Sequence, residues 1–148
     1  MPHGDRRDAI LVSACLLDVK CNHRGLASPS AAVGALSARY RLIPVCPETI
    51  GGLPTPRPAA EIQGDATIRT ADGTDVSDAY RRGAAATVAL ARATGARQAV
   101  LKARSPSCGC EQVYDGTFSR TLRAGEGVTA AALRGEGIEV RSDEDIAT

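Results

Sequence analysis

Hydrophobic positions along this chain gather into four short runs, at residues 10–14, 42–45, 98–102 and 138–140. Each is too brief for a helix and is built largely from Ile, Val, Leu and Ala, so each reads as a buried strand. Between the runs the apolar spacing changes to three and four. Ser28-Pro29 offers a cap followed by proline at the first helical position. It predicts a helix to about Arg39, with Val33, Leu36 and Tyr40 facing inward. Ser77 opens a second helix to about Ala93, with Tyr80, Ala84, Val88 and Ala91 as its inward stripe and Gly95 as its stop. A short third helix is expected over 127–134. Strand, helix, strand at this spacing is a right-handed βαβ unit. The pattern therefore predicts one α/β domain over 1–148, a three-layer, Rossmann-like fold around a mostly parallel sheet of about four to five strands.

The periodicity fails between residues 46 and 76. Four prolines and the pair Gly51-Gly52 exclude a central helix or strand across the first half of that segment. Asp72-Gly73 is a tight-turn signal, which predicts a small hairpin over 66–76. Irregular segments of this length inside a compact domain usually serve function. Residues 47–76 are thus expected to wall or cover a site. Residues 103–118 are expected to form a second loop, turning at Tyr114-Asp115-Gly116.

Composition narrows the class. The chain has 148 residues, enough for one domain with a real core. Aromatic residues are only 3%, so Ala, Val, Leu and Ile must fill that core. The net charge is +1 and the arginines are scattered, so no basic stripe marks a large nucleic-acid footprint. A nucleic-acid partner is disfavoured, and the oligomeric state is not legible. No stretch is long enough to span a bilayer. Residues 1–8 form a polar tail. The run after it lacks a small-residue cleavage site and is followed by Asp18 and Lys20, so it reads as strand rather than signal core. The expected compartment is the cytoplasm. Five cysteines at irregular spacing do not make a secreted disulfide framework.

Three of those cysteines stand where a strand gives way to a loop: Cys15, Cys46 and Cys108. In an open parallel sheet the carboxyl ends of the strands share one edge, and ligands bind there. One such cysteine would read as a small buried hydrophobe. Three at successive strand ends point to a metal centre. Three sulfurs with a free coordination position suit either catalytic zinc or an iron–sulfur cluster, and spacing does not choose between them. Cys21, in the first loop, reads as packing; Cys110 stays open. Glu48 follows Cys46 by two residues. In an ordinary loop it would be a solvated acid or a cap, and beside a metal it would move protons. Ser105 and Ser107 flank Pro106 before Cys108; they either satisfy backbone or hold the substrate. Arg57 and Glu61 straddle a rigid turn, and an ion pair between them is expected to brace it. His3 and His23 are weak evidence for ligation.

These residues carry a resemblance. Val12-Ser13-Ala14-Cys15-Leu16-Leu17, Cys46-Pro47-Glu48, Gly51-Gly52-Leu53-Pro54-Thr55-Pro56-Arg57, Lys102 with Ser105-Pro106-Ser107-Cys108-Gly109, and Tyr114-Asp115-Gly116-Thr117-Phe118 occur in order. The pattern resembles the DUF523 family, whose characterised members are thiouracil desulfidases, over about residues 10–142. The resemblance implies an oxygen-sensitive [4Fe-4S] cluster held by three cysteines, here Cys15, Cys46 and Cys108. The fourth iron would lack a protein ligand and would take the substrate's sulfur. It implies Glu48 and Ser105 as the catalytic pair, and a small thiolated base as substrate. Asp18 and the sequence Asn22-His23-Arg24-Gly25 depart from the family's Gly and Arg-Tyr-Asp-Gly, and Cys110 is an addition. The expected activity is non-redox removal of sulfide from a 2-thiouracil-like base with water. Two alternatives stand beside it: a zinc-thiolate hydrolase, and a non-enzymatic carrier of sulfur or of an iron–sulfur cluster.

Overall fold

The computed structural model describes residues 6–146; His3 and most of the polar tail lie outside them. The elements run β1 (Asp8–Ser13), a 3-10 turn (Ala14–Leu17), α1 (Ala31–Gly34) continuing as a 3-10 turn (Ala35–Ala38), β2 (Tyr40–Val45) and α2 (Pro47–Ile50). Next come β3 (Ala60–Ile62), β4 (Ile68–Thr70), α3 (Ser77–Thr94), β5 (Gln98–Leu101), β6 (Gln112–Tyr114) and β7 (Leu122–Ala124). The chain closes with α4 (Val128–Gly135), β8 (Glu139–Ser142) and a 3-10 turn (Asp143–Asp145).

Four strands form one parallel sheet in the order β2-β1-β5-β8. Alternate residues of β1 serve opposite faces, as the pleat requires. Ile10 and Val12 join Val100 and Val33 on the side of α1. Ala9 and Leu11 join Ala99, Leu101, Ala91 and Leu133 on the side of α3 and α4. Ile10, Leu11, Val12, Val100 and Leu101 have no exposed surface. A strand buried on both faces reads as a continuous apolar run, which is why β1 and β5 were legible; the edge strand β2, expected to be buried, is mostly half-buried with Pro44 exposed. The chain adds β2 on one side of β1 and then β5 on the other. That reversal leaves a crevice beyond the carboxyl ends of β1 and β5. Among the described residues, no helix is long and apolar enough to cross a membrane.

Four local expectations need correction. The first helix does not start at Ser28-Pro29: the Ser28 and Ser30 amides donate to the carbonyls of Cys15 and Leu16, pinning 28–30 as extended chain. Ser30 is the cap instead, its side chain accepting from the Val33 amide at 3.2 Å. Only one α turn follows before it tightens to 3-10, and Tyr40 opens β2. The hairpin expected over 66–76 begins earlier. β3 pairs with β4 in the register Ala60↔Thr70 and Ile62↔Ile68, turning at 63–67. The Asp72-Gly73 turn also forms and returns the chain to an Arg69↔Asp75 bridge, making a short meander. Within the proline-rich half, one helical turn does occur: Pro47 sits at the first position of α2, where proline is welcome. The loop 103–118 likewise contains β6, which pairs antiparallel with β7.

Candidate metal centre

Cys15 sits in the turn that ends β1, and Cys46 is the residue between β2 and α2. Ser13 pairs with Val45 in the sheet register, so these two strand ends are neighbours. β5 joins them from the other side. The Lys102 amide donates to Ser13 Oγ at 2.9 Å, tying the end of β5 to the end of β1. The loop after β5 then carries Cys108 back over the crevice. Cys15, Cys46, Cys108, Glu48 and Ser105 all line one cavity of about 270 Å³. The residues singled out from the sequence are therefore brought together. Cys21 lines the same cavity and is buried. Cys110 does not; it packs into the core on the α3–α4 side of the sheet.

The Cys108 loop is held in shape by its serines. Ser105 Oγ accepts from the amides of Ser107 at 3.0 Å and Cys108 at 2.8 Å. That leaves its hydroxyl proton free to point at Glu48 Oε1, 3.5 Å away. Ser107 turns the other way: its hydroxyl is fully buried and hydrogen-bonds the Thr129 hydroxyl at 2.7 Å on α4. Of the two serines, one faces the cavity and the other bolts the loop to the fold. Gly127 enables that bolt, because a Cβ there would overlap the backbone of Ser107.

The thiols of Cys15, Cys21 and Cys108 are buried and that of Cys46 is half-buried. Burial pushes the Cys15 thiol up to about 11, with the nearby Lys102 ammonium opposing it. Burial pushes Cys108 up to about 12. Cys21 rises to about 12, first by burial and then by the neighbouring Cys46. Thr49 donates its hydroxyl to Cys46 Sγ at 3.0 Å, and Cys46 Sγ donates to the Cys21 carbonyl at 3.6 Å. Among the described residues, no three His, Cys, Asp or Glu side chains gather as ligands of a single metal ion.

Glu48 lies in α2 and is strongly held. Arg57 Nε donates to its Oε2 at 3.0 Å, and a second guanidinium nitrogen lies 3.0 Å from the same oxygen. Tyr80, on α3, donates its hydroxyl to Oε2 at 3.0 Å. Burial, then the adjacent carboxylate, drives the Tyr80 phenol far above its ordinary range, so it remains a donor. The sequence pairs Arg57 with Glu61, and the structure corrects this. Glu61 turns away and accepts the amides of Gly116 and Phe118 at 3.0 and 3.2 Å. Arg57 crosses the loop to Glu48 and supplies a counter-charge to a carboxylate that is only 13% exposed. Sequence reasoning missed both partners of Glu48. Tyr80 was visible only as an inward helix position, and nothing local announced what it would touch.

The family model described as 2-thiouracil desulfurase matches residues 10–145. The chain belongs to the 2-thiouracil desulfurase family. A relative in this family is YbbK of Bacillus subtilis (strain 168), 40% identical over 146 residues that cover 93% of this chain and 97% of that one. A solved structure, the [4Fe-4S]-dependent thiouracil desulfidase TudS, is 44% identical. It matches with a TM-score of 0.88, over 95% of this chain and 93% of the other. Both the α/β architecture and the parallel sheet are thus those of a 2-thiouracil desulfurase.

Proposed function

We propose that this protein is a [4Fe-4S]-dependent desulfidase that releases sulfide from a thiolated pyrimidine of the 2-thiouracil kind. The observation that carries the reading is the convergence of three strand-end cysteines with Glu48 and Ser105 on one cavity, in a chain closely similar to TudS. Cys15, Cys46 and Cys108 would hold the cluster. Their donor chemistry fits it: three soft thiols, two buried and one half-buried, converge on one cavity. When bound, the cluster supplies a Lewis-acidic iron without a protein ligand, open to sulfur.

The protein's own residues handle the proton. Glu48 Oε1, the oxygen facing Ser105, takes a proton from the attacking water. Water oxygen bonds to the thiocarbonyl carbon, the C–S bond breaks, and sulfur departs as sulfide with both electrons. The carbonyl product leaves with no net oxidation or reduction. The Ser105 hydroxyl, whose lone pairs are occupied by two amides, donates to the reacting base or passes the proton on. Lys102 adds positive charge beside Cys15. The cavity's modest size suits a free base or a similarly small molecule. A reducing cytoplasm would keep the thiols competent.

The test is anaerobic incubation of the iron-loaded protein with 2-thiouracil, measuring sulfide and uracil. Equal amounts of both are expected. Glu48→Ala should retain its iron and lose turnover. No sulfide from the loaded protein, or full turnover in Glu48→Ala, would contradict the reading.

A further inference from the structure

We infer that Arg57 and Tyr80 are positioning residues that commit one oxygen of Glu48 to the protein and reserve the other for the reaction. The inference rests on the proposed role of Glu48 and deepens it. A carboxylate has two oxygens that can exchange places by rotation. Here the two are treated very differently. Oε2 takes the Arg57 Nε, a second Arg57 nitrogen and the Tyr80 hydroxyl, each at 3.0 Å. Among the described residues, Oε1 has only the Ser105 hydroxyl, at the outer limit of hydrogen bonding.

The anchors are themselves anchored. The Arg57 side chain is 4% exposed and spends its remaining donors on the carbonyls of Pro54 and Cys21 and on the Thr55 hydroxyl. The Arg57 amide donates to the His23 carbonyl at 2.8 Å, so one residue joins the proline loop to the first loop. Tyr80 is 2% exposed on α3. Glu48 by contrast stands in a four-residue helix that could not fix its rotamer alone. Arginine cannot accept a hydrogen bond, so whatever occupies the Oε2 position must be an acceptor.

That asymmetry makes a sharp statement about Glu48→Gln. The amide must turn its oxygen to Arg57 and Tyr80, and so present its NH₂ to Ser105 and the cavity. The variant should fold, load iron and be inert, with a donor where a base is needed. Tyr80→Phe removes one of the three anchors without changing shape. It should lower kcat about tenfold, the worth of one hydrogen bond to a charged group, while KM and iron content stay as in the parent. Arg57→Gln should cost about a hundredfold through misplacement of the carboxylate, and Arg57→Lys should recover part of it. Crystal structures of metal-free Tyr80→Phe and Arg57→Lys give a readout independent of turnover: the Glu48 carboxylate should turn away from Ser105. Because Arg57→Gln also loosens two loops, Tyr80→Phe is the decisive variant. Parent kcat in Tyr80→Phe with an unmoved carboxylate would overturn the inference. Full activity in Glu48→Ala would instead bring down the role of Glu48 itself, so the two failures are distinguishable.

Discussion

Cys15 and Cys108 are poor ligands until something draws their protons away. Burial holds both thiols neutral, at about 11 and about 12, well above the usual value of 9.0. Ligation needs thiolates, so assembling the centre must expel protons. The same shift sets the pH response of the metal-free chain. A folded-state value raised above the unfolded one favours the neutral thiol in the fold. Its contribution is fully present below about 9 and disappears as pH rises through about 11. The metal-free protein should therefore melt at progressively lower temperature between those values, and Cys15→Ser should lessen the slope. Identical profiles for parent and variant would contradict the burial of this thiol. At this scale the candidates could be picked out because Cys15 and Cys46 directly follow apolar runs and Cys108 lies six residues beyond the third run. The partners of Glu48 could not. Arg57 lies nine positions away across two prolines and had a nearer carboxylate, Glu61, on offer. Tertiary contacts decide between them: Glu61 is taken by the amides of Gly116 and Phe118, and Glu48 faces the guanidinium.

At the scale of elements, the site depends on how closely α2 approaches α3. Gly51 and Gly83 make that approach possible. A Cβ on Gly83 would overlap the Pro47 carbonyl, and one on Gly51 would overlap the Ala79 carbonyl. α2 carries Cys46 and Glu48 at its start, while α3 carries Tyr80, so the spacing of two backbones sets the geometry of the cavity. Alanine in a helix is intrinsically better than glycine by about 1 kcal/mol. Backbone overlap outweighs that gain. Gly83→Ala should destabilise the protein by about 1–3 kcal/mol in chemical denaturation, and should reduce iron loading as Cys46 shifts. Unchanged stability and loading would show that α2 can move freely. This contact could not be read from the sequence, where Gly83 looks like a weak point inside a good helix. The meander was only half legible for a related reason. Asp72-Gly73 announces its turn locally, whereas the earlier turn at 63–67 is set by pairing of β3 with β4.

For the whole molecule, the strand order β2-β1-β5-β8 is the feature from which the rest follows. It puts the reversal of the sheet at β1 and gathers the ends of β1, β2 and β5 around one crevice. β1 and β5 were legible because each is a buried run of apolar residues, whereas β2 is mostly half-buried and β8 carries Glu139 and Arg141. The crevice followed from the sheet, since the carboxyl ends of parallel strands share an edge. The walls were not legible. Residues 46–76 take their shape from distant contacts, such as Tyr80 to Glu48 and Arg57 to the Cys21 carbonyl. The central claim is that three thiols on three chain segments hold one cluster. Its most direct test is the iron and acid-labile sulfide content of anaerobically prepared protein, beside Cys15→Ala, Cys46→Ala and Cys108→Ala. About four of each per chain is expected in the parent, with loss in every one of the three variants. Zinc in place of iron, or full loading in any single variant, would contradict it.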